Sequence, residues 1–458
     1  MLRRLQGKLE WPAGTYTEPD ASATPEAELL AGLEEAAQVG LPALVAVNEG
    51  PLRQMLPNLP DHEELAAQLA RPFRYDNAPA GPIPKAVLIQ LGSRQVLTKT
   101  LLSGALYMVQ SKVEYAGAPE KVLANMRALS QVRVRERLML LLEQVRRGGI
   151  HVTVHQVLGL LARMVTAGLP EAPDDVQPYY QNLFAAPANS SPLAAALAEI
   201  DPAGLAHAHL DTHLLWDAPS TAGPWLPGSG PACDSPGEIK NPPLTPEQSE
   251  QRFRQLKRQH FFEAERGDQV LEGLPDDRRT FNDLLNGPPA AAVSELLKAL
   301  VRFAGQVPSQ PLTLPLWTSL RYDADTPAWA RVAGASLRET DCIVRRPSLP
   351  APMDQLLDYT PDHLVLMLTN WPGPQGPALV VDLPLWRALR GVARGMPAGS
   401  RDEDAGRRVD NFLAAAAAVV PASPDYLRVY NNRDNRETTV RVVSNEDAPA
   451  GVSYYITN

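Results

Sequence analysis

Three imidazoles and a carboxylate fall within His207-Ala-His209-Leu-Asp211-Thr-His213, and these are donor types that zinc takes. A zinc hydrolase of that pattern needs a buried strand directly before the string. Here Leu193–Ile200 reads as a helix, so His207, His209, Asp211 and His213 are expected on a surface and no metal is assigned to them. A different chemistry is available at Asn48. Leu41-Pro-Ala-Leu-Val-Ala-Val47 is a continuous apolar run of the kind a two-side-buried strand needs, and it stops at Asn48-Glu49-Gly50-Pro51. A polar residue just past a parallel strand faces the crevice where α/β sheets bind ligands. Its carboxamide can orient a water without carrying charge. The same four residues are good turn formers, and on that fact alone a turn is the simpler reading. Arg71 and Arg74 follow one helix later, and Arg133, Arg135 and Arg137 alternate further on. Arginines of this kind can neutralise a phosphoryl group, while the commoner arrangement pairs them with acids such as Glu136 or Glu143 or leaves them solvated.

Several autonomous chemistries are excluded by motif. There is no Gly-x-x-x-x-Gly-Lys-Ser/Thr, no Gly-x-Ser-x-Gly, no His-Glu-x-x-His and no EF-hand loop. A metal-dependent PD-(D/E)xK nuclease around Asp362 and Asp382 would need a lysine two positions past its second acid, and no lysine follows Lys298. The net charge of −9 argues against nonspecific nucleic-acid binding by the whole molecule, although not against a local basic patch. Cys233 and Cys342 are too few for a disulfide framework or a zinc knuckle, which fits a reducing cytoplasm. No apolar run is long enough to span a membrane.

The elements that must position these residues read as an α/β segment, a helical region and an α+β segment. Residues 1–95 carry a helix from about 26 to 38 with Gly40 past its end, the strand 41–47, a helix over 61–70 and a second buried strand, Lys85–Leu91. Two such strands around a helix make one unit of a parallel sheet. Residues 96–217 are helical, with Leu138, Leu141, Leu142 and Val145 on one stripe and a capping box at Thr153-Val-His-Gln156. Residues 218–245 are rich in Pro, Gly and Ser and read as a linker. Residues 246–289 open with a charged helix whose exposed positions are expected to include Arg252, Arg254, Lys257 and Arg258. Residues 290–458 mix helices near 291–304, 384–395 and 405–420 with strands at 312–320, 342–346, 363–370 and 378–383. A hairpin over 426–443 and a last strand at 451–457 close it.

The order strand, Asn48, helix, Arg71 and Arg74, strand and helical bundle resembles the second half of an AAA+ ATPase module. The strings Val47-Asn48-Glu-Gly-Pro-Leu-Arg53, Arg135–Glu143, Gly149-Ile-His-Val-Thr153, Asp201-Pro202 and Lys257-Arg-Gln-His-Phe-Phe262 are similar to ATPases of phage-defence systems, nearest the DptF type of DNA phosphorothioation-dependent restriction. The resemblance covers about residues 40–290. It implies a partial AAA+ parallel sheet followed by a helical lid, with Asn48 as sensor 1 and Arg71 and Arg74 as arginine-finger candidates. Arg133, Arg135 and Arg137 become nucleotide contacts, and His155 stands where such lids tend to carry an arginine. Walker A and Walker B segments are not in the sequence. The implied protein is therefore the downstream part of an ATPase that takes ATP and magnesium only in the complete module. Its implied partners are a Walker-bearing half, other defence subunits or further copies of itself, with DNA engaged indirectly and no membrane. The alternative is a non-enzymatic scaffold subunit.

Overall fold

The computed structural model describes residues 12–59, 61–70, 73–75, 85–91, 95–112, 118–166, 176–208, 210–211, 246–320, 330–350, 353, 359–369, 376–396, 402–422, 425–431, 436–445 and 452–457. The expected linker 218–245 lies outside them, as do Arg71, His209, His213, Cys233 and Thr245. The chain is a mixed α/β protein that divides into two units, residues 1–94 with 348–359 and residues 95–347 with 360–458.

In the first unit, β1 (Tyr16–Glu18) leads through α1 (Glu26–Val39) to β2 (Ala43–Val45). The two strands pair in parallel, Tyr16 opposite Ala43 and Glu18 opposite Val45. Helix α1 ends where Gly40 takes a left-handed conformation, φ 71°, and its amide closes on the carbonyls of Ala36 and Ala37. Gly32 lets the Tyr16 ring lie against α1, since a β-carbon there would come within 2.4 Å of the ring. Helices α2 (Glu49–Met55) and α3 (His62–Ala70) complete a small core of Ala21, Leu29, Leu52, Met55, Leu59 and Leu69.

The second strand expected at 85–91 does not form. Among the described residues no strand pairs with this run, and Val87, Ile89 and Leu91 are exposed. Instead the Gln68 carboxamide donates to Ala86 O and accepts from Leu88 N, both at 2.8 Å. A side chain of α3 thus makes the two bonds a neighbouring strand would make. Only Leu88 packs on the core. An apolar run becomes a buried strand when both faces have something to cover them, and here one face does. The parallel pair is β1–β2, and the strand–helix–strand unit lies one element earlier than the apolar runs indicate.

The second unit begins with α4 (Lys99–Lys112), α5 (Glu120–Ser130), α6 (Val132–Arg147) and α7 (Val154–Thr166), followed by α8 (Tyr179–Asn182) and α9 (Pro192–Glu199). The α6 stripe of Leu138, Leu141, Leu142 and Val145 is fully buried. The capping box at Thr153 is formed, with Gln156 N donating to Thr153 Oγ1 at 3.2 Å and Thr153 N to Gln156 Oε1 at 2.8 Å. The wholly buried Asn125 fastens the bundle, donating to Val165 O and Gln177 O and accepting from Tyr179 N at 2.8 Å.

Helix α10 (Pro246–Glu263) packs into the same core through Phe261 and Phe262. Arg254 is exposed as expected, but the expected exposure of Lys257 and Arg258 is corrected. Lys257 is 1% exposed and pairs with Asp211 at 2.5 Å. Arg258 grips Asp201 through Nε at 2.9 Å and Nη2 at 2.6 Å. These cations face inward because acids from 201–211 await them, which charge spacing on one helix does not reveal.

Helices α11 (Asp276–Asn286) and α12 (Pro289–Phe303) lead to β3 (Thr313–Leu320), β4 (Ala330–Arg338), β5 (Cys342–Arg345), β6 (Leu364–Leu368) and β7 (Ala378–Val381). Helices α13 (Leu383–Ala393) and α14 (Glu403–Val419) come next, then β8 (Tyr426–Asn431), β9 (Arg436–Ser444) and β10 (Val452–Thr457). The strands make two antiparallel sheets, one of order β10-β9-β8-β4-β3 and one of order β5-β6-β7. Leu314, Leu316, Leu337, Val344 and Leu366 share a core with α12, α13 and α14. Asp382 accepts from Leu385 N at 3.0 Å as the α13 cap and pairs with Arg408, so it is committed to structure rather than to a metal. No helix among the described residues is long and apolar enough to cross a membrane.

Candidate functional site at the carboxyl ends of the parallel strands

Beyond β1 and β2 the pairing continues into the loops. Ala46 N donates to Glu18 O at 2.9 Å and Ala21 N to Ala46 O at 2.8 Å. These bonds bring the loop after β1 beside Asn48, which opens α2 in an extended conformation and whose carbonyl accepts from Leu52 N at 3.0 Å. The Asn48 side chain does not cap its own helix. Its Nδ2 donates to Ser22 Oγ at 3.1 Å, across from one strand end to the other. Within the loop, Glu18 accepts from Asp20 N at 3.0 Å and Asp20 from Ser22 N at 3.1 Å. A carboxamide, a hydroxyl and two carboxylates therefore share the carboxyl edge of a parallel pair, the location at which α/β sheets bind ligands. Asn48, Asp20 and Ser22 are exposed and Glu18 is half-buried, so the group opens to solvent.

This cluster can hold and orient a water. Asn48 offers a carbonyl oxygen and a second amide hydrogen, and each carboxylate keeps an oxygen beyond the one bonded to the backbone. The carboxylates are also hard oxygen donors of the type magnesium takes. Two carboxylates are donors of the kind the metal side of a magnesium–nucleotide site uses, although they are fewer than the three side chains that would make a metal centre by themselves. The phosphate side has no counterpart in the sequence, which lacks a glycine-rich loop and its lysine. Glu18 and Asp20 were not legible as site residues because Tyr16-Thr-Glu18 is too short and too polar to read as a strand. The available signal was the spacing from Glu18 to a capped helix ending at Gly40 and then to the apolar run.

Arg74 lies in the same unit, half-buried, where its backbone makes an antiparallel bridge to Ser348: Arg74 N to Ser348 O at 2.7 Å and Ser348 N to Arg74 O at 2.9 Å. The neighbouring Phe73 stacks on Tyr359, ring centres 4.9 Å apart, beside Leu349 and Met353. Arg71 lies outside the described residues.

The α6 arginines are placed by α10. Arg133 Nη1 donates to Glu263 O and Arg137 Nη2 to Glu265 O, both at 2.8 Å, and Arg137 also pairs with Asp268 at 2.9 Å. Two guanidiniums one helical turn apart thus satisfy carbonyls at the negative end of α10. Arg135, two positions from each, projects from the opposite side of α6 and is half-buried. Glu143 pairs with Arg146 and Arg147 instead, at 2.7 and 2.8 Å. Burial raises the Glu143 pKa, but the bonds from the two arginines outweigh it and hold the carboxyl below the usual range. His207 and Asp211 are likewise occupied. His207 Nδ1 accepts from Leu210 N at 3.2 Å, and Asp211 pairs with Lys257. Among the described residues no group of three metal-ligating side chains comes together.

His155 borders a cavity of about 230 Å³ between α7 and α9, with Gln156, Arg163, Ser190 and Ser191 as its other polar lining. No family model, curated protein or solved structure matches the chain.

Proposed function

We propose that the chain is the downstream part of an AAA+ type ATPase acting in DNA-based phage defence, of the DptF kind, and does not hydrolyse ATP alone. One observation carries the reading: Asn48, past a parallel strand, is hydrogen-bonded to the loop past its neighbour strand, beside Glu18 and Asp20. Bound nucleotide with magnesium supplies the transferable γ-phosphoryl group and part of its charge neutralisation. The residues of this chain act on the water side. Asn48 holds the attacking water through its carboxamide. Glu18 and Asp20 orient it or its metal through their outward oxygens. Arg74, with Arg71, brings positive charge to a phosphoryl group held by a neighbouring polypeptide. The P-loop comes from outside these residues, and DNA is engaged through the assembled system. The test is reconstitution. Mixed with a P-loop-bearing polypeptide encoded beside it, the chain should yield ATPase activity that neither part has alone, and Arg74→Ala should lower it. No activity in the mixture with every such neighbour would sink the reading.

A second reading, a non-enzymatic interaction subunit, is favoured by the β8–β10 strands, none of whose residues is buried. It gains if the chain assembles with defence subunits and the assembly is indifferent to Asn48 and Arg74.

A further inference from the structure

Strands β8, β9 and β10 form the free end of the five-stranded sheet, and their two faces differ in chemistry. Residues directly opposite each other on paired strands project from the same face. The register sets Leu427, Val440 and Ile456 in one row, so the middle of that face is apolar, with Tyr454, Thr438 and Arg436 on rows to either side. The next row belongs to the other face and reads Tyr426, Arg441, Tyr455. Two residues along β8 in that same face is Arg428, and two further is Tyr430, opposite Arg331 of β4. This face therefore sets phenol rings beside guanidinium groups over four strands. Tyr426 is 47% and Tyr455 56% exposed, and Arg441 and Arg331 are exposed as well.

Among the described residues of this face three arginines stand against one carboxylate, Glu437, which lies 3.7 Å from Arg428 with both side chains more than a third exposed. A pair that open is weak and screened, so the patch keeps a positive balance within a chain of net charge −9. The Arg331 guanidinium sits 5.9 Å from the Tyr430 ring centre, and Trp317 meets the same ring edge-on at 6.3 Å. The rings at the two ends of the Tyr426–Arg441–Tyr455 row stand two strand spacings apart, about 10 Å, with a cation between them.

We propose that this face binds single-stranded nucleic acid. Bases stack on Tyr426 and Tyr455, and the phosphates between them meet Arg441 and Arg428. Rings and cations on one open sheet are what an unpaired strand can use together, since its base faces are accessible and its backbone is charged. A duplex offers the phosphates but hides the base faces. An acidic polypeptide would engage the arginines and leave the rings unused. The inference stands apart from the nucleotide site: it lies in the other unit and its test involves no ATP.

The experiment is fluorescence anisotropy of labelled dT20 and rU20 with the full chain over a range of salt, the two probes separating a DNA from an RNA ligand. At least one should bind. Tyr426→Ala and Tyr455→Ala should each weaken binding about five- to a hundred-and-fiftyfold, the range base–aromatic stacking gives. Arg441→Gln should reduce the slope of log affinity against log salt by about 0.7. Ile456→Ser, on the opposite face, should leave affinity within about twofold, well below any stacking loss. All four side chains are exposed or at a sheet edge, and matching thermal unfolding of each variant verifies the fold. The proposal is overturned if neither probe binds, if the tyrosine variants bind like the parent, or if Ile456→Ser is as damaging as they are. It is also overturned if polyglutamate displaces the probe as well as unlabelled oligonucleotide does, which makes an acidic protein the occupant.

Discussion

Removing the Asp201 carboxylate should destabilise the helical bundle measurably, because it orphans a nearly buried guanidinium. Asp201 is 8% exposed and Arg258 12%. Their bidentate bonds of 2.9 and 2.6 Å are joined by a third to the same carboxylate, Ala203 N to Oδ1 at 3.0 Å. Arg258 also lies over the Phe184 ring, 4.9 Å from its centre, so it cannot swing to water without giving up that packing. Asp201→Ala leaves a guanidinium nearly buried with Gln181 as its remaining side-chain acceptor, and Arg254 close by adds like charge. Breaking a buried pair from one side costs about 3–5 kcal/mol. The residual exposure of both groups favours the lower end, about 3 kcal/mol. For a unit as large as residues 95–347 with 360–458 each kcal/mol moves the melting point by about 1–2 °C, so the transition should fall by about 3–6 °C. Far-ultraviolet circular dichroism during heating measures it. Arg258→Met added to Asp201→Ala should recover part of the loss, because the orphaned charge is then gone. A drop below about 2 °C would place the pair in the class of screened surface contacts and refute the reasoning.

Other outcomes follow from the same contacts. Glu143 is held below its usual pKa, so its contribution is full above the unfolded value and is lost as pH falls through the folded one. The stability gap between the parent and Glu143→Gln, measured by urea titration, should be widest near neutrality, begin to narrow as pH falls past the ordinary glutamate range of about 4.3, and vanish only below the lower folded value. Burial, with Asp341 beside it, pushes the Cys342 thiol up to about 12, so it should stay unreactive to a thiol-specific dye in the native protein at pH 8 and react on unfolding. A β-carbon on Gly267 would meet the backbone oxygens of Phe261 and His260 at 2.3 and 2.4 Å. Gly267→Ala should therefore destabilise the bundle by at least about 1–3 kcal/mol, seen as a lowered melting point.

The sequence was legible where local chemistry decides structure. The Thr153 capping box, Gly40 at the end of α1, the α6 stripe and the antiparallel pairing of β8 with β9 follow from side chains close to one another in sequence. Legibility failed where a distant partner decides. Lys257 and Arg258 look like solvated charges until Asp211 and Asp201 are seen facing them, more than forty positions earlier in the chain. Residues 85–91 have the composition of a strand but meet the Gln68 side chain instead of a neighbour. β4, Ala-Arg-Val-Ala-Gly-Ala-Ser-Leu-Arg, is made of small residues without apolar alternation and owes its strand state to β3 and β8. At the candidate site Asn48 was legible from the apolar run before it. Ser22, Glu18 and Asp20 were not, since only the β1–β2 register brings them to it.

The central claim is that Asn48 positions water for ATP hydrolysis in a module completed by a P-loop-bearing partner. Its most direct test is steady-state ATP turnover of that assembled complex, parent against Asn48→Ala. Asn48 is an exposed residue that makes no cap to its own helix, so the substitution should leave folding and assembly intact. The account predicts a fall in kcat of about a hundredfold or more with KM little changed, because the lost contact acts on the attacking water and not on nucleotide binding. Unchanged kcat in the variant complex, or equal turnover by the chain without any P-loop-bearing partner, would contradict it.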